Sequence, residues 1–139
     1  MKNSRPIMLV EDDQVDAMTV ERAFKELKIT NDLIHKFDGE EALEHLMNDG
    51  NKKPCIILLD LNMPKMSGLE FLKARSNNES LKKTPIIVLT TSEEDQDVVE
   101  SFKLGVAGYM VKPVDYRKFV DVVKAIELYW TLSQLPNGG

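Results

Sequence analysis

The chain has 139 residues, a net charge of −5 and one cysteine, Cys55. That length suits a single domain with a two- or three-layer core, and the acidic balance gives no general reason to bind nucleic acid, whose phosphates require a basic surface. No apolar run approaches a membrane span or the core of a signal peptide. A single cysteine excludes an internal disulfide, so we expect a reducing compartment, with the cytoplasm as the default location.

Short apolar runs alternate along the chain with amphipathic stretches. The runs predict five strands: Ile7–Val10, Leu33–Phe37, Ile56–Leu59, Ile86–Leu89 and Ala107–Val111. Apolar residues at helical spacing predict a helix after each strand, the last one running through Trp130. This alternation is typical of an α/β fold in which a doubly wound parallel sheet carries helices on both faces. The second strand mixes polar and apolar residues and is therefore expected at an edge of the sheet.

Polar residues follow four of these strands at the point where each strand ends. They are Glu11, Asp12 and Asp13 after the first strand, Asp60 after the third, Thr90 and Thr91 after the fourth, and Lys112 after the fifth. Ligands of open parallel sheets bind beyond the carboxyl ends of the strands, where the strand order reverses. With right-handed connections and the common order 2-1-3-4-5, Asp60 is flanked by Asp12 and Thr90. The strand ends therefore predict one shared site.

The charges at this predicted site indicate metal-dependent chemistry on phosphorus. Glu11, Asp12 and Asp60 would repel one another unless a cation lay among them, and carboxylates suit a hard ion such as Mg²⁺. Beside a metal, one carboxylate can act as a nucleophile toward phosphorus. Lys112 and the metal would then offset charge on the transferred group, and the Thr90 hydroxyl could donate a hydrogen bond to it.

Four motifs, in this order, resemble the receiver domain of bacterial two-component response regulators over essentially the whole chain. They are MLVEDD at 8–13, LLDLNMPKMSG at 58–68, VLTTS at 88–92 and GYMVKP at 108–113. The resemblance implies a flavodoxin-like three-layer fold in which Asp60 accepts a phosphoryl group from a sensor histidine kinase. It also implies that Mg²⁺ is held by Glu11, Asp12, Asp60 and the backbone carbonyl of Asn62. Thr90 and Tyr109 would form a switch pair, and Lys112 would contact the phosphoryl group. The peptide bond between Lys112 and Pro113 would be cis.

Finer features resemble a narrower group, the small stand-alone regulators paired with phytochrome-type kinases. These features are the Thr-Thr-Ser after the fourth strand, the connection RSNNESLKKTP at 75–85 and the ending ELYWTLSQLP at 127–136. Glu11 replaces the aspartate that is more frequent in the family and preserves its charge. Thr91 stands where alanine is common, so it is expected to narrow access to the phosphoryl group.

The end of the chain predicts a contact between two copies. The large apolar side chains of this segment are those of Tyr129, Trp130, Leu132 and Leu135. At helical spacing they cannot all face one core. We expect Tyr129 and Trp130 to lie at a two-fold homodimer contact formed by the fourth helix, fifth strand and fifth helix. The alternative is that Trp130 covers the core of its own domain. Residues 1–139 are assigned to one receiver domain, with an extended last helix and a frayed tail from about residue 136.

Several of these residues also have simpler explanations. Asp13 and Asp115 each precede an amphipathic helix and are expected to cap it rather than to bind a ligand. Thr91 could be an ordinary strand residue, and Tyr109 could belong to the core. Cys55 is expected to be a small buried side chain.

Three other functions can be set against the receiver role. An aspartate-nucleophile phosphatase, which is the main alternative, usually carries a second acid two residues after the nucleophile, where this chain has Asn62. A flavin or dinucleotide binder would need a glycine-rich loop after the first strand, which instead carries three acids. A transcription factor would need room for a DNA-binding unit, and the receiver pattern extends through the last helix. Output through protein contacts is therefore expected.

Overall fold

The computed structural model describes residues 4–132, in which five strands alternate with five helices. The strands are β1 (Ile7–Val10), β2 (Leu33–Lys36), β3 (Ile56–Leu59), β4 (Ile86–Thr90) and β5 (Gly108–Val111). The helices are α1 (Gln14–Glu26), α2 (Gly39–Met47), α3 (Gly68–Ser76), α4 (Asp95–Lys103) and α5 (Tyr116–Leu132), and a short 3-10 helix spans Leu81–Lys83. Each predicted strand is present, with its bounds moved by one residue at most. Within residues 4–132, no helix combines the length and apolarity needed to cross a membrane.

The five strands form one parallel sheet in the order β2-β1-β3-β4-β5, as predicted. The three inner strands, β1, β3 and β4, are buried along their whole length. The edge strands β2 and β5 are only partly buried. This difference confirms the prediction that the polar second strand lies at an edge.

Two apolar clusters cover the two faces of the sheet. Alternate residues of a strand point to opposite faces, so Ile7 and Leu9 pack with α1 and α5 on one side. Met8 and Val10 pack with α2 and α3 on the other side. Helices therefore lie on both faces, and the predicted doubly wound, flavodoxin-like three-layer fold is confirmed.

Two predicted helix caps are present. Asp13 Oδ1 accepts hydrogen bonds from the backbone N–H groups of Val15 and Asp16, at 2.8 and 3.1 Å, at the start of α1. Asp115 Oδ1 accepts the N–H of Arg117 at 2.9 Å at the start of α5. Both aspartates satisfy backbone donors that the helix itself leaves unpaired.

Trp130 lies in the core, so the prediction that it forms part of a dimer contact is wrong. Its side chain is 2% exposed, and its ring centroid is 6.1 Å from that of Phe24 on α1. The reason is helical spacing, which puts Trp130 on the same buried stripe of α5 as Ile126. Tyr129 packs beside this cluster and is half-buried. Leu135 and the tail from about residue 136 lie outside the described residues.

Candidate functional site

The carboxyl ends of four neighbouring strands bring the predicted side chains together. The N–H of Asp60 donates to the carbonyl of Val10 at 3.0 Å, and the N–H of Lys112 donates to the carbonyl of Thr90 at 2.7 Å. These bonds extend the ladder of the sheet one residue beyond the strands. Residues that directly follow β1, β3 and β5 therefore lie along one edge of the sheet, next to the end of β4.

Three carboxylates meet at this edge. Glu11, Asp12 and Asp60 each offer an oxygen, and these oxygens lie within 4.8 Å of one another. Glu11 and Asp60 are 1% and 7% exposed, whereas Asp12 is exposed. Buried like charges repel one another unless a cation lies among them. Because carboxylate oxygens are the ligands that hard divalent ions prefer, this set of donors fits Mg²⁺ or a similar ion.

The loop after Asp60 packs closely against the end of β3. The N–H of Gly68 donates to the carbonyl of Leu61 at 3.0 Å. A Cβ at Gly68 would lie 2.5 Å from the Asp60 carbonyl oxygen and 2.7 Å from Leu61 Cα, so only glycine fits without moving this backbone. Asn62 is exposed in the same loop, two residues beyond Asp60. Its role as a metal ligand stays a prediction.

Lys112 reaches the acidic cluster from the end of β5. Its ammonium donates to Glu11 Oε1, and the lysine side chain is 9% exposed. Burial raises the pKa of Glu11 to about 7, although Lys112 acts in the opposite direction. Burial lowers the pKa of Lys112, but its contacts with neighbouring carboxylates more than offset this, so its pKa lies above the usual value. Lys112 is therefore a largely covered cation beside the cluster and not an ordinary surface lysine.

Asp16 also contacts Lys112, and the sequence did not predict this. Asp16 Oδ2 accepts a hydrogen bond from Lys112 Nζ at 3.0 Å. The two residues are 96 positions apart, and no motif links them. The contact becomes visible only when α1 and the end of β5 are placed beside each other in the fold.

Thr90 and Tyr109, the predicted switch pair, are joined through Ser92. Thr90 is buried, and its Oγ1 accepts the N–H of Ser92 at 3.4 Å. The Tyr109 hydroxyl donates to the carbonyl of Ser92 at 3.0 Å. The hydroxyl of Ser92 in turn donates to Asp97 Oδ2 on α4 at 2.6 Å. Thr91, by contrast, is exposed. A hydrogen-bonded chain therefore connects the end of β4 with α4 and β5.

A groove of about 250 Å³ lies beside the acidic cluster, between α1 and the segment after β5. Asp16, Thr91, Lys112 and Pro113 are among the residues that line it.

No peptide bond in the described residues is cis, so the predicted cis bond before Pro113 is wrong. The trans form of such a bond is intrinsically favoured by about 0.5–1 kcal/mol, and Lys112 reaches both of its carboxylate partners with the bond trans.

Comparison with known proteins places the chain in a family. The family model described as the response regulator receiver domain matches residues 7–124. Response regulator Rcp1 of Synechocystis sp. is 38% identical over 128 residues, which cover 89% of this chain and 87% of that protein. Probable methanogenesis regulatory protein FilR2 of Methanothrix harundinacea is 36% identical over 127 residues, which cover 89% of this chain and 82% of that protein.

Solved structures share the fold over nearly the whole chain. The Mn(2+)-bound form of Rcp1 has a TM-score of 0.86 at 34% identity, covering 98% of this chain and 100% of that one. The phosphorylated cyanobacterial phytochrome response regulator RcpA has a TM-score of 0.88 at 30% identity, covering 98% of this chain and 99% of that one. Together these matches show that the chain belongs to the response regulator receiver domain family and is similar to its phytochrome-associated members.

Proposed function

We propose that this response regulator accepts a phosphoryl group on Asp60 from a sensor histidine kinase. The observation that carries the proposal is the position of Asp60, which is buried at the end of a central strand, within a cluster of three acids. Lys112 donates to Glu11, another acid of the same cluster. A buried carboxylate is costly unless it is paired, and the side-chain caps seen within residues 4–132 come from residues other than Asp60. Similarity to RcpA, solved in a phosphorylated form, supports the same role.

In the proposed reaction, an Oδ atom of Asp60 forms a bond to phosphorus while the bond between phosphorus and the histidine nitrogen of the kinase breaks. The electron pair of the broken bond returns to the imidazole, whose other nitrogen keeps its proton, so the histidine leaves as a neutral ring. Asp60 then carries an acyl phosphate. Lys112 offsets negative charge on the phosphoryl oxygens, and the Thr90 hydroxyl donates a hydrogen bond to them.

Glu11, Asp12, Asp60 and the backbone carbonyl of Asn62 are the groups that would hold Mg²⁺ in this proposal. When bound, the ion would offset negative charge on the carboxylates and on the phosphoryl oxygens. The three convergent carboxylates support this assignment, and so does the Mn²⁺-bound structure of the related Rcp1.

We propose that Thr90 and Tyr109 report the phosphorylated state. A phosphoryl group on Asp60 offers the Thr90 hydroxyl a new acceptor. Because Thr90 is bonded to Ser92, whose carbonyl holds Tyr109, a shift of Thr90 changes the contacts of Tyr109 and of the face formed by α4, β5 and α5. Thr91 is exposed on the groove beside the site, where it limits the access of water to the phosphoryl group.

The proposed docking surface for the kinase consists of α1 and the segment after β5. Val15 and Met18 are exposed on α1, and Val114 is exposed at the groove. Exposed apolar side chains around a functional groove are typical of protein interaction surfaces. A phytochrome-type kinase is the proposed partner because RcpA, the structural relative with a TM-score of 0.88, is a cyanobacterial phytochrome response regulator.

The proposed assembly is a two-fold homodimer through the face formed by α4, β5 and α5. Val99 and Phe102 on α4 and Val111 on β5 are exposed apolar side chains, and half-buried Tyr129 on α5 is the remaining predicted contact. A two-fold axis lets the same apolar patch on two copies pair with itself.

We propose that the chain acts in the cytoplasm as a single receiver domain, with no nucleic acid or membrane partner.

Intact-mass spectrometry tests the proposed function. Incubation with acetyl phosphate and Mg²⁺ should add the mass of one phosphoryl group, and chelation of divalent ions should prevent the gain. Asp60→Asn should abolish it, whereas Asp95→Asn, which changes an exposed acid on α4, should not. A gain that persists in Asp60→Asn would contradict the assignment. Sustained hydrolysis of external phosphate esters would favour the aspartate-nucleophile phosphatase instead.

A further inference from the structure

Lys112 has two carboxylate partners that differ in kind. Glu11 is buried and belongs to the acidic cluster that would hold the metal. Asp16 lies on α1 outside that cluster, and its side chain is 42% exposed. Its Oδ2 is 3.0 Å from Lys112 Nζ. The charge of Asp16 is therefore directed at the lysine, and no step of the proposed phosphoryl transfer uses it.

The fold holds Asp16 in this position. The cap of α1 fixes the turn that carries Asp16, because Asp13 Oδ1 accepts the Asp16 N–H at 3.1 Å. Lys112 is tied to the sheet by its own N–H, which donates to the carbonyl of Thr90. The ion pair therefore links two anchored backbones across one end of the groove. It holds the ammonium of a long, flexible side chain on the α1 side of the site.

We propose that Asp16 is a positioning residue that restrains Lys112 and competes with the phosphoryl group for its ammonium. This inference rests on the proposed roles of Asp60 and Lys112. An ammonium has only three protons to donate, and two of its acceptors in this structure are Glu11 and Asp16. These two bonds leave one further proton, but they also fix the position of Nζ. A move of Nζ toward a phosphoryl group on Asp60 therefore lengthens the bond to Asp16 on α1. Asp16 therefore opposes the phosphorylated state and sets how readily Lys112 engages it.

Binding of beryllofluoride, a mimic of the phosphoryl group, measures this competition without bond making or breaking. The dissociation constant is obtained by fluorine NMR at saturating Mg²⁺. Asp16→Asn keeps the shape of the side chain and removes its charge, so it should bind the mimic about twofold to fivefold more tightly, the range expected for a partly exposed ion pair. Asp16→Glu restores the charge and should return the affinity toward that of the parent.

Two further variants separate positioning from a purely structural role. Glu21→Gln removes another exposed acid of α1 and should bind the mimic like the parent. In a Lys112→Gln background, Asp16→Asn should add nothing, because Asp16 acts through the lysine. If Asp16 only linked α1 to the segment after β5, Asp16→Asn would change the free energy of unfolding and leave the affinity for the mimic unaltered.

The outcomes distinguish failure of this inference from failure of the proposed function. Equal affinities of the parent and Asp16→Asn would overturn the role of Asp16 alone. The same conclusion would follow if Asp16→Glu bound as tightly as Asp16→Asn, or if the gain persisted without Lys112. A parent protein that binds no beryllofluoride would overturn the proposed function, and this inference with it.

Discussion

Glu11 has partners on each of its polar groups. Its Oε1 contacts Lys112, its Oε2 accepts the N–H of Asp13 at 3.2 Å, and its backbone carbonyl is 2.7 Å from Nε2 of His35. The side chain is buried, and burial raises its pKa to about 7. A proton therefore competes with a divalent ion for this carboxylate close to neutral pH.

We expect the affinity of the metal-free protein for Mn²⁺ to rise with pH. Below about pH 7, an increasing fraction of Glu11 is protonated, and an ion has to displace that proton. Affinity measured by calorimetry should therefore rise about tenfold from pH 6 to pH 8. Glu11→Gln should bind more weakly and lose most of this dependence. Asp13→Asn, which keeps a helix cap, should retain it, and an equal loss in both variants would mean that the ligand and the cap were assigned wrongly.

At the scale of single residues, the site could be predicted wherever chemistry follows directly from chain position. Asp60 and Lys112 each come immediately after an apolar run, so the strand pattern itself places them at the same edge. Asp16 and Ser92 could not be found in this way. The bond between Asp16 and Lys112 depends on the side-chain conformation of a lysine 96 residues away. The bond between Ser92 and Asp97 depends on how the segment between β4 and α4 packs against the first turn of α4.

Among the structural elements, the loop between β3 and α3 depends most on a single small residue. A methyl group at Gly68 would meet the carbonyl oxygen of Asp60 and the Cα of Leu61. Gly68→Ala should therefore lower the free energy of unfolding by about 1–3 kcal/mol, measured by urea denaturation. Gly108→Ala is the matched control, because its nearest neighbour would be 3.6 Å away, an ordinary contact distance. Similar losses in the two variants would contradict this account of the loop.

The first turn of α4 is held by Ser92 and not by its own N-cap residue. Glu94 makes no side-chain cap, whereas the Ser92 hydroxyl accepts the N–H of Glu94 at 3.4 Å and donates to Asp97. Asp97→Ala should therefore loosen this turn by about 1 kcal/mol, which is roughly fivefold faster hydrogen exchange at residues 95–103. Asp95→Ala removes an acid from the same turn but not this bond, so its effect should be smaller. Equal exchange in the two variants would show that the bond to Ser92 has no such role.

Element boundaries could be predicted less closely than the elements themselves, as β2 shows. Phe37 is apolar and extends the strand-like run, yet β2 ends at Lys36. The N–H of Phe37 donates to Glu41 on α2 at 3.0 Å, and the centroid of the Phe37 ring lies 4.2 Å from that of the His35 ring. The Glu11 carbonyl, which would accept the next bond of the ladder, instead lies 2.7 Å from Nε2 of His35. These side-chain contacts at the end of β2 are not revealed by local periodicity.

For the whole molecule, the three layers of helices and sheet could be predicted from the sequence. Which apolar side chains stay exposed after folding could not. Helical spacing correctly indicates that the end of α5 is apolar. Only the packing of α5 on α1 shows that Trp130 is buried against Phe24, which leaves Leu128 and Leu132 exposed. The apolar side chains that remain exposed on α4, β5 and α5 are therefore the candidates for a contact with a second copy.

The proposed dimer gives a prediction at the scale of the whole molecule. The intact protein should have the mass of a dimer in light scattering. Phe102→Glu should convert it to a monomer, because Phe102 lies on the α4 part of the proposed contact, where the charge would be buried. Met47→Glu, a matched change of an exposed apolar residue on α2, should leave the dimer intact. A monomeric intact protein, both with and without phosphorylation, would contradict the dimer.

Locating the phosphoryl group tests the central claim most directly. Borohydride reduces an aspartyl phosphate to homoserine, so protein treated with acetyl phosphate and Mg²⁺ can be reduced, digested and examined by peptide mass spectrometry. The account predicts homoserine at position 60 and unchanged aspartate at positions 12 and 13, with no conversion when Mg²⁺ is chelated. Homoserine at position 12 or 13, or a phosphorylated protein that keeps aspartate at position 60 after reduction, would contradict it.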